Sequence, residues 1–179
     1  TTDVLALVSG KQGGERGQLA RLEALLMAFL DHVVLAALGE DNTPRRALLL
    51  THDGPYVSML HAMPRAIAER WLKVLVIELI RERDVHFMPI EAVLLEEEIF
   101  RRGGGGNPAE RLLKSIERVR TKYEGGASRY GPIRDAVRFE PPEARTIVKL
   151  VGARFGPFFQ QASPPTRVTS EANAEGLLR

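Results

Sequence analysis

Apolar residues recur at helical spacing through most of the chain, and Gly or Pro stands at nearly every break between the runs. After Gly13 and Gly14, the positions Leu19, Leu22, Leu25, Leu26, Phe29, Leu30, Val33 and Val34 repeat at helical spacing. They stop before Gly39, a residue suited to the left-handed turn that closes a helix. That spacing predicts a first helix near 15–38. Arg45 to Thr51 is a short apolar run that fits either a strand or one helical turn, and His52-Asp53-Gly54-Pro55 reads as a turn. Tyr56 to Met63 reads as the beginning of a helix that kinks or restarts at Pro64, because proline is accepted in a first turn and not in a helix interior.

The segment from Pro64 to Asp84 is apolar on most of its circumference, through Trp71, Leu72, Val74, Leu75, Val76, Ile77, Leu79 and Ile80. A helix of that kind has to be covered on several sides, by its own fold or by another subunit. Pro89 starts a further helix over 90–102, closed by Gly103 to Gly106, and Asn107-Pro108 opens the next, Ala109 to Glu124. Ile133 to Phe139 is either extended or a short turn, and Pro141-Pro142 introduces a last helix to about Phe155. The expected fold class is therefore all-α, a bundle of four to five helices over residues 1–155. From Gly156 onward Pro, Ser, Thr, Gln and Ala set the composition of an extended C-terminal tail, 156–179. Phe155, Phe158 and Phe159 at its root would anchor on a neighbouring subunit, so removing residues 160–179 is expected to weaken assembly and spare the fold.

The 179 residues suffice to bury a core, and the absence of Cys removes disulfides, thiolate chemistry and Cys-based metal sites. Thr1 to Gly10 carries Asp3 and lacks the basic start and long apolar run of a secretory signal, which points to an intracellular protein. A Thr-Thr start fits removal of an initiator Met. The longest nearly apolar window, Trp71 to Ile80, contains Lys73 and Glu78 and is too short and too charged to span a bilayer. Twenty Arg against five Lys, with three Asn and four Gln, match either a thermophilic composition or a high-GC coding bias.

The formal net charge of +2 conceals an alternation: −3 over 1–44, +3 over 45–83, −3 over 84–102, +5 over 103–155, and zero in the tail. The helix Ala109 to Glu124 sorts its charges most sharply. Arg111, Lys114, Arg118 and Lys122 form a basic stripe within about 80° of arc, beside a buried face of Leu112, Leu113, Ile116, Val119 and Tyr123. Arg70, Lys73 and Arg81 share a face of the preceding apolar helix, and Arg145 and Lys149 stand opposite Ile147, Val148 and Val151 on the last one. Arg101, Arg102, Arg129, Arg134 and Arg138 add to the basic charge between residues 100 and 154. Such faces suit phosphates, which give affinity without sequence information. Base-reading residues are scarce, with Asn107 the one Asn near a basic helix and no aromatic platform for single strands.

Catalytic and metal chemistry find little support. His52, Asp53, Ser58 and His61 cluster in sequence, but the histidines are nine apart across a turn and Ser58 lacks a nucleophile-elbow motif. His32 and His86 stand alone. Gly103 to Gly106 ahead of a helix outlines a phosphate cradle but lacks the Lys-Ser/Thr of a nucleotide loop, and reads as a hinge. Glu96-Glu97-Glu98 point about 100° apart, cannot converge on one ion, and read as a solvated or subunit-facing surface. No cofactor, metal or enzymatic activity is expected.

The Arg111/Lys114/Arg118/Lys122 stripe, Arg70/Lys73/Arg81 and the tail after Gly156 together resemble the coat proteins of filamentous double-stranded DNA viruses of hyperthermophilic archaea. The resemblance implies helical subunits that pair with themselves or a similar subunit, wrap linear duplex DNA with basic helices and hold it in an A-like form within a virion. The net acidic segment 1–44 departs from that pattern, where a basic arm would be expected. The alternative is a small helical DNA-binding regulator or accessory protein, with Ile133 to Phe139 as a wing.

Overall fold

The computed structural model describes residues 3–7, 14–40, 43–81, 89–97, 101, 106–123 and 143–169. The chain is mixed α/β, which corrects the all-α expectation. In order it runs β1 (Asp3–Leu7), α1 (Gly14–Leu38), β2 (Arg45–Thr51), β3 (Gly54–Leu60), α2 (Arg65–Arg81), α3 (Ile90–Leu95), α4 (Pro108–Tyr123), α5 (Ala144–Gln161) and β4 (Thr166–Arg167). It divides into two compact units, one of residues 1–70 with 160–179 and the other of residues 71–159.

The first unit is built on a four-stranded sheet in the order β1-β2-β3-β4. β1 lies parallel to β2, while β2, β3 and β4 are antiparallel. The β2–β3 hairpin turns on His52-Asp53, flanked by the Thr51–Gly54 pair. Thr51 donates its hydroxyl to the Gly54 carbonyl at 2.8 Å and accepts from the Asp53 amide at 3.1 Å, while Gly54 takes a φ of +116° that an L side chain rarely adopts. The turn read from the sequence is therefore present. The helix read for Tyr56 to Met63 is not, because β3 occupies residues 54–60 and a new helix begins only at Arg65. The side chains of β2 and β3 alternate: Ala47, Leu49, Ser58 and Leu60 are buried, whereas Leu50 and Met59 face outward and exposed.

α1 supplies the other side of this core through Leu22, Leu25, Leu26, Phe29, Val33 and Ala36, all buried. It ends as the sequence predicts. Gly39 has a φ of +84°, its amide bonds the Ala36 carbonyl and the Glu40 amide bonds the Leu35 carbonyl, both at 3.1 Å, the two bonds of a Schellman closure.

In the second unit α3 packs on α4, with Ala92, Val93 and Leu94 buried as are Leu112, Ile116 and Val119. α3 is shorter than the span of 90–102 expected for it and ends at Leu95, with Glu96 in a turn. Asn107 caps α4: its side-chain oxygen accepts from the Ala109 amide at 3.1 Å, and Pro108 takes the first helical position.

α5 carries on through Gly156 and Pro157 to Gln161, past the boundary expected at Phe155. A proline inside a helix removes the amide that would bond the carbonyl four residues earlier. Here that carbonyl belongs to Ala153, and the indole N–H of Trp71 donates to it at 3.0 Å. Phe158 and Phe159 are buried within the chain. Extended backbone begins at Ala162, which bridges to Leu60, and β4 follows at 166–167, so the start of the expected tail is part of the sheet. Residues 170–179 lie outside the described part, as do Ile133 to Phe139, Arg102, Arg129, Arg134, Arg138, His86, Glu98 and Gly103 to Gly105.

Candidate nucleic-acid interface

The basic residues separate into two groups. Arg111, the first member of the α4 stripe, is held inside its own unit, where its Nε and Nη2 donate to Glu96 Oε2 at 3.0 and 2.8 Å. Ser115 closes the clamp by donating to the other oxygen of Glu96. Arg101, one turn beyond Glu97, donates to its Oε2 at 2.8 Å and to the Phe159 carbonyl at 3.0 Å, with the guanidinium 5.7 and 5.8 Å from the Phe159 and Phe158 ring centres. Arg154 pairs with Glu78 at 2.8 Å. These planar forks tie helix ends and carboxylates together, a role that suits arginine better than lysine. Glu96 and Glu97 are accordingly internal partners, which corrects their reading as a solvated or subunit-facing run.

The second group points outward. Lys114 and Arg118 are exposed four residues apart on α4, and Arg145 and Lys149 are exposed at the same spacing on α5. Arg70 and Lys73 are exposed on α2. Lys114, Arg145, Lys149, Arg70 and Lys73 make no ion pair with another described residue. Arg81 and Lys122 sit in α2 and α4, but their side chains lie outside the described part. Of the stripe read from the sequence, Lys114 and Arg118 are therefore exposed, and Arg111 is paired with Glu96. Asn107 is committed to its cap, which leaves even less to read bases.

The structure does not bring the two histidines near β3 together. His52 lies at the hairpin end of β3, beside Asp53 at 3.7 Å, and His61 lies past its other end, roughly 20 Å away along an extended strand. Ser58 is buried and donates to the Ser163 carbonyl at 2.5 Å, so its hydroxyl ties β3 to the returning chain. No group of three or more metal-ligating side chains converges among the described residues.

A buried pair that the sequence did not indicate lies in the first unit. His32 is 1% exposed and Arg45 3%. Arg45 Nη1 donates to His32 Nδ1 at 3.0 Å, and His32 Nε2 then carries the proton that it donates to the His61 carbonyl at 2.9 Å. Burial pushes the imidazole below the ordinary histidine value; the bond to the His61 carbonyl opposes that shift and the Arg45 charge adds to it. His32 therefore links α1 to the start of β2 and to the end of β3. No local pattern could announce it, because its partners stand 13 and 29 residues away.

Among the described residues no helix is long and apolar enough to cross a membrane. Comparison of the chain with protein-family models, with curated proteins and with solved structures found no match in any of the three.

Proposed function

We propose that this chain is a structural, self-associating protein that coats double-stranded DNA through sequence-independent phosphate contacts. The observation that supports the reading is the exposure of Lys114, Arg118, Arg145 and Lys149, paired at helical spacing on α4 and α5. Side chains four apart on a helix lie one above the other, the disposition that follows successive phosphates without touching bases. The reading rests on these cations and no longer on the resemblance to all-helical coat subunits, since a four-stranded sheet is part of the fold.

Salt dependence tests it. Each phosphate neutralised on duplex DNA contributes about −0.9 to the slope of log affinity against log salt. Lys114→Ala should flatten that slope by about 0.9 and weaken random and chosen duplexes alike. Arg111→Ala, which breaks the Glu96 clamp, should lower stability and leave the slope unchanged. Absence of binding at low salt, or a substitution that changes which sequence is preferred, overturns the reading.

A further inference from the structure

We propose that copies of this chain join head to tail, the exposed face of α1 on one copy seated against the exposed face of α2 on the next. The inference rests on the self-associating reading above and names the two surfaces that make the contact. On α1, Met27 is 61% exposed, Val34 45% and Leu38 68%, although each is a large apolar residue. With Asp31, also exposed, they lie within about 60° of helix circumference, a single narrow stripe about 16 Å long. On α2, Val74 is 39% exposed, Val76 50% and Ile80 74%. Lys73 stands in the middle of that arc and Arg70 lies on the same side of the helix, while Glu69, also on that arc, is held by Arg65 at 2.6 Å, so the side is net positive. The helix is therefore left with an uncovered apolar side by the described residues, which is the demand for cover that its sequence announced.

Charge decides the occupant. If α1 met α1 of a second copy, two stripes that each carry Asp31 would face each other; if α2 met α2, two sides on which Arg65, Arg70 and Lys73 outnumber Glu69 would do so. Like charges facing each other at an interface oppose association, whereas the crossed pairing brings Asp31 of one copy to Lys73 of the next while apolar residues meet apolar residues. Of the three arrangements it alone sets faces of opposite net charge against each other. Because every copy carries one surface of each kind, the contact propagates into a ring or an open filament, the second being the form a linear duplex needs. Arg70 and Lys73 then serve the contact between copies, and α4 and α5 are left for phosphate.

Sedimentation velocity of the full chain, without nucleic acid and at low salt, tests the pairing. The wild-type chain should associate with concentration. Asp31→Lys and Lys73→Glu should each weaken association by about ten-fold or more while keeping the wild-type circular dichroism, since both side chains are solvent-facing. Mixing the two variants should restore association, because the substituted α1 of one variant then meets the substituted α2 of the other with the charges exchanged, and opposite signs face each other again. Folded variants that associate as the wild type does, or a mixture that stays dissociated, overturn this pairing and leave self-association by another surface standing. A wild-type chain that stays monomeric both alone and on duplex DNA overturns the pairing and the self-associating reading together.

Discussion

At neutral pH the His32 imidazole accepts a hydrogen bond from a guanidinium, an arrangement that protonation destroys. The added proton would occupy the nitrogen that receives Arg45 and would set two cations side by side in the interior. In the unfolded chain His32 titrates near 6.5, and in the fold its value is lowered, chiefly by burial. Between the two the unfolded chain binds the more protons, so this residue's contribution is complete above pH 6.5 and is lost as pH falls through the lowered folded value. Urea unfolding midpoints measured from pH 7.5 downward should therefore decline once below 6.5. His32→Gln keeps a donor for the His61 carbonyl but cannot titrate, and should flatten that decline. The Gln amide oxygen still offers Arg45 an acceptor, so this variant should cost less at pH 7.5 than His32→Leu, which orphans both partners at about 1–3 kcal/mol each. A decline of unchanged steepness in the variant would assign the acid sensitivity to another group.

Single helices carry their own punctuation, and that part of the fold was legible. Gly39 closes α1, Asn107-Pro108 opens α4, and the buried positions Leu112, Ile116 and Val119 repeat at helical spacing. The strands were not legible as a sheet, because partners distant in sequence define them: β1 pairs with β2 across the whole of α1, and β4 joins β3 from more than a hundred residues away. One local signal for the hairpin is present. His52-Asp53-Gly54-Pro55 between two apolar runs reads as a turn, but polar Ser58 buried beside apolar Met59 exposed inverts the alternation that would announce β3. Of the candidate interface, the sequence could place cations on helix faces but could not show that Arg111 finds Glu96 while Lys114 finds none of the described carboxylates. Pro157 stands inside α5 for a related reason, since its helical cost is offset by a tryptophan 86 positions earlier in the chain. That pairing predicts a coupling. Trp71→Phe should destabilise the chain by about 1–3 kcal/mol, through the orphaned Ala153 carbonyl. In a Pro157→Ala background the same change should cost less, because the backbone amide restored at that position can supply the missing bond within α5. Equal losses in the two backgrounds, measured in a double-mutant cycle, would remove the indole from this role.

On the scale of the whole molecule, the chain begins one unit, builds a second, and returns to finish the first. Residues 160–169 lie with residues 1–70, and the bonds that hold them there are specific. The His61 amide donates to the Gln161 carbonyl at 2.7 Å, the Ser163 amide to the Met59 carbonyl at 2.8 Å, and Ser58 donates its buried hydroxyl to the Ser163 carbonyl. Arg167 reaches the Asp53 carbonyl at the hairpin turn. A segment with those partners belongs to the fold, which reverses the expectation that it serves assembly alone. Deleting residues 162–179 would strip β3 of its second neighbour and leave the Ser58 hydroxyl buried without an acceptor, a loss of about 1–3 kcal/mol from that group alone. Hydrogen exchange locates the damage. Amides of β2 and β3 should lose protection in the truncated chain, while those of α3 and α4, which pack on each other within residues 71–159, should keep theirs. Equal loss throughout would mean that the two units unfold as one cooperative body, and the return of the chain would then be what couples them.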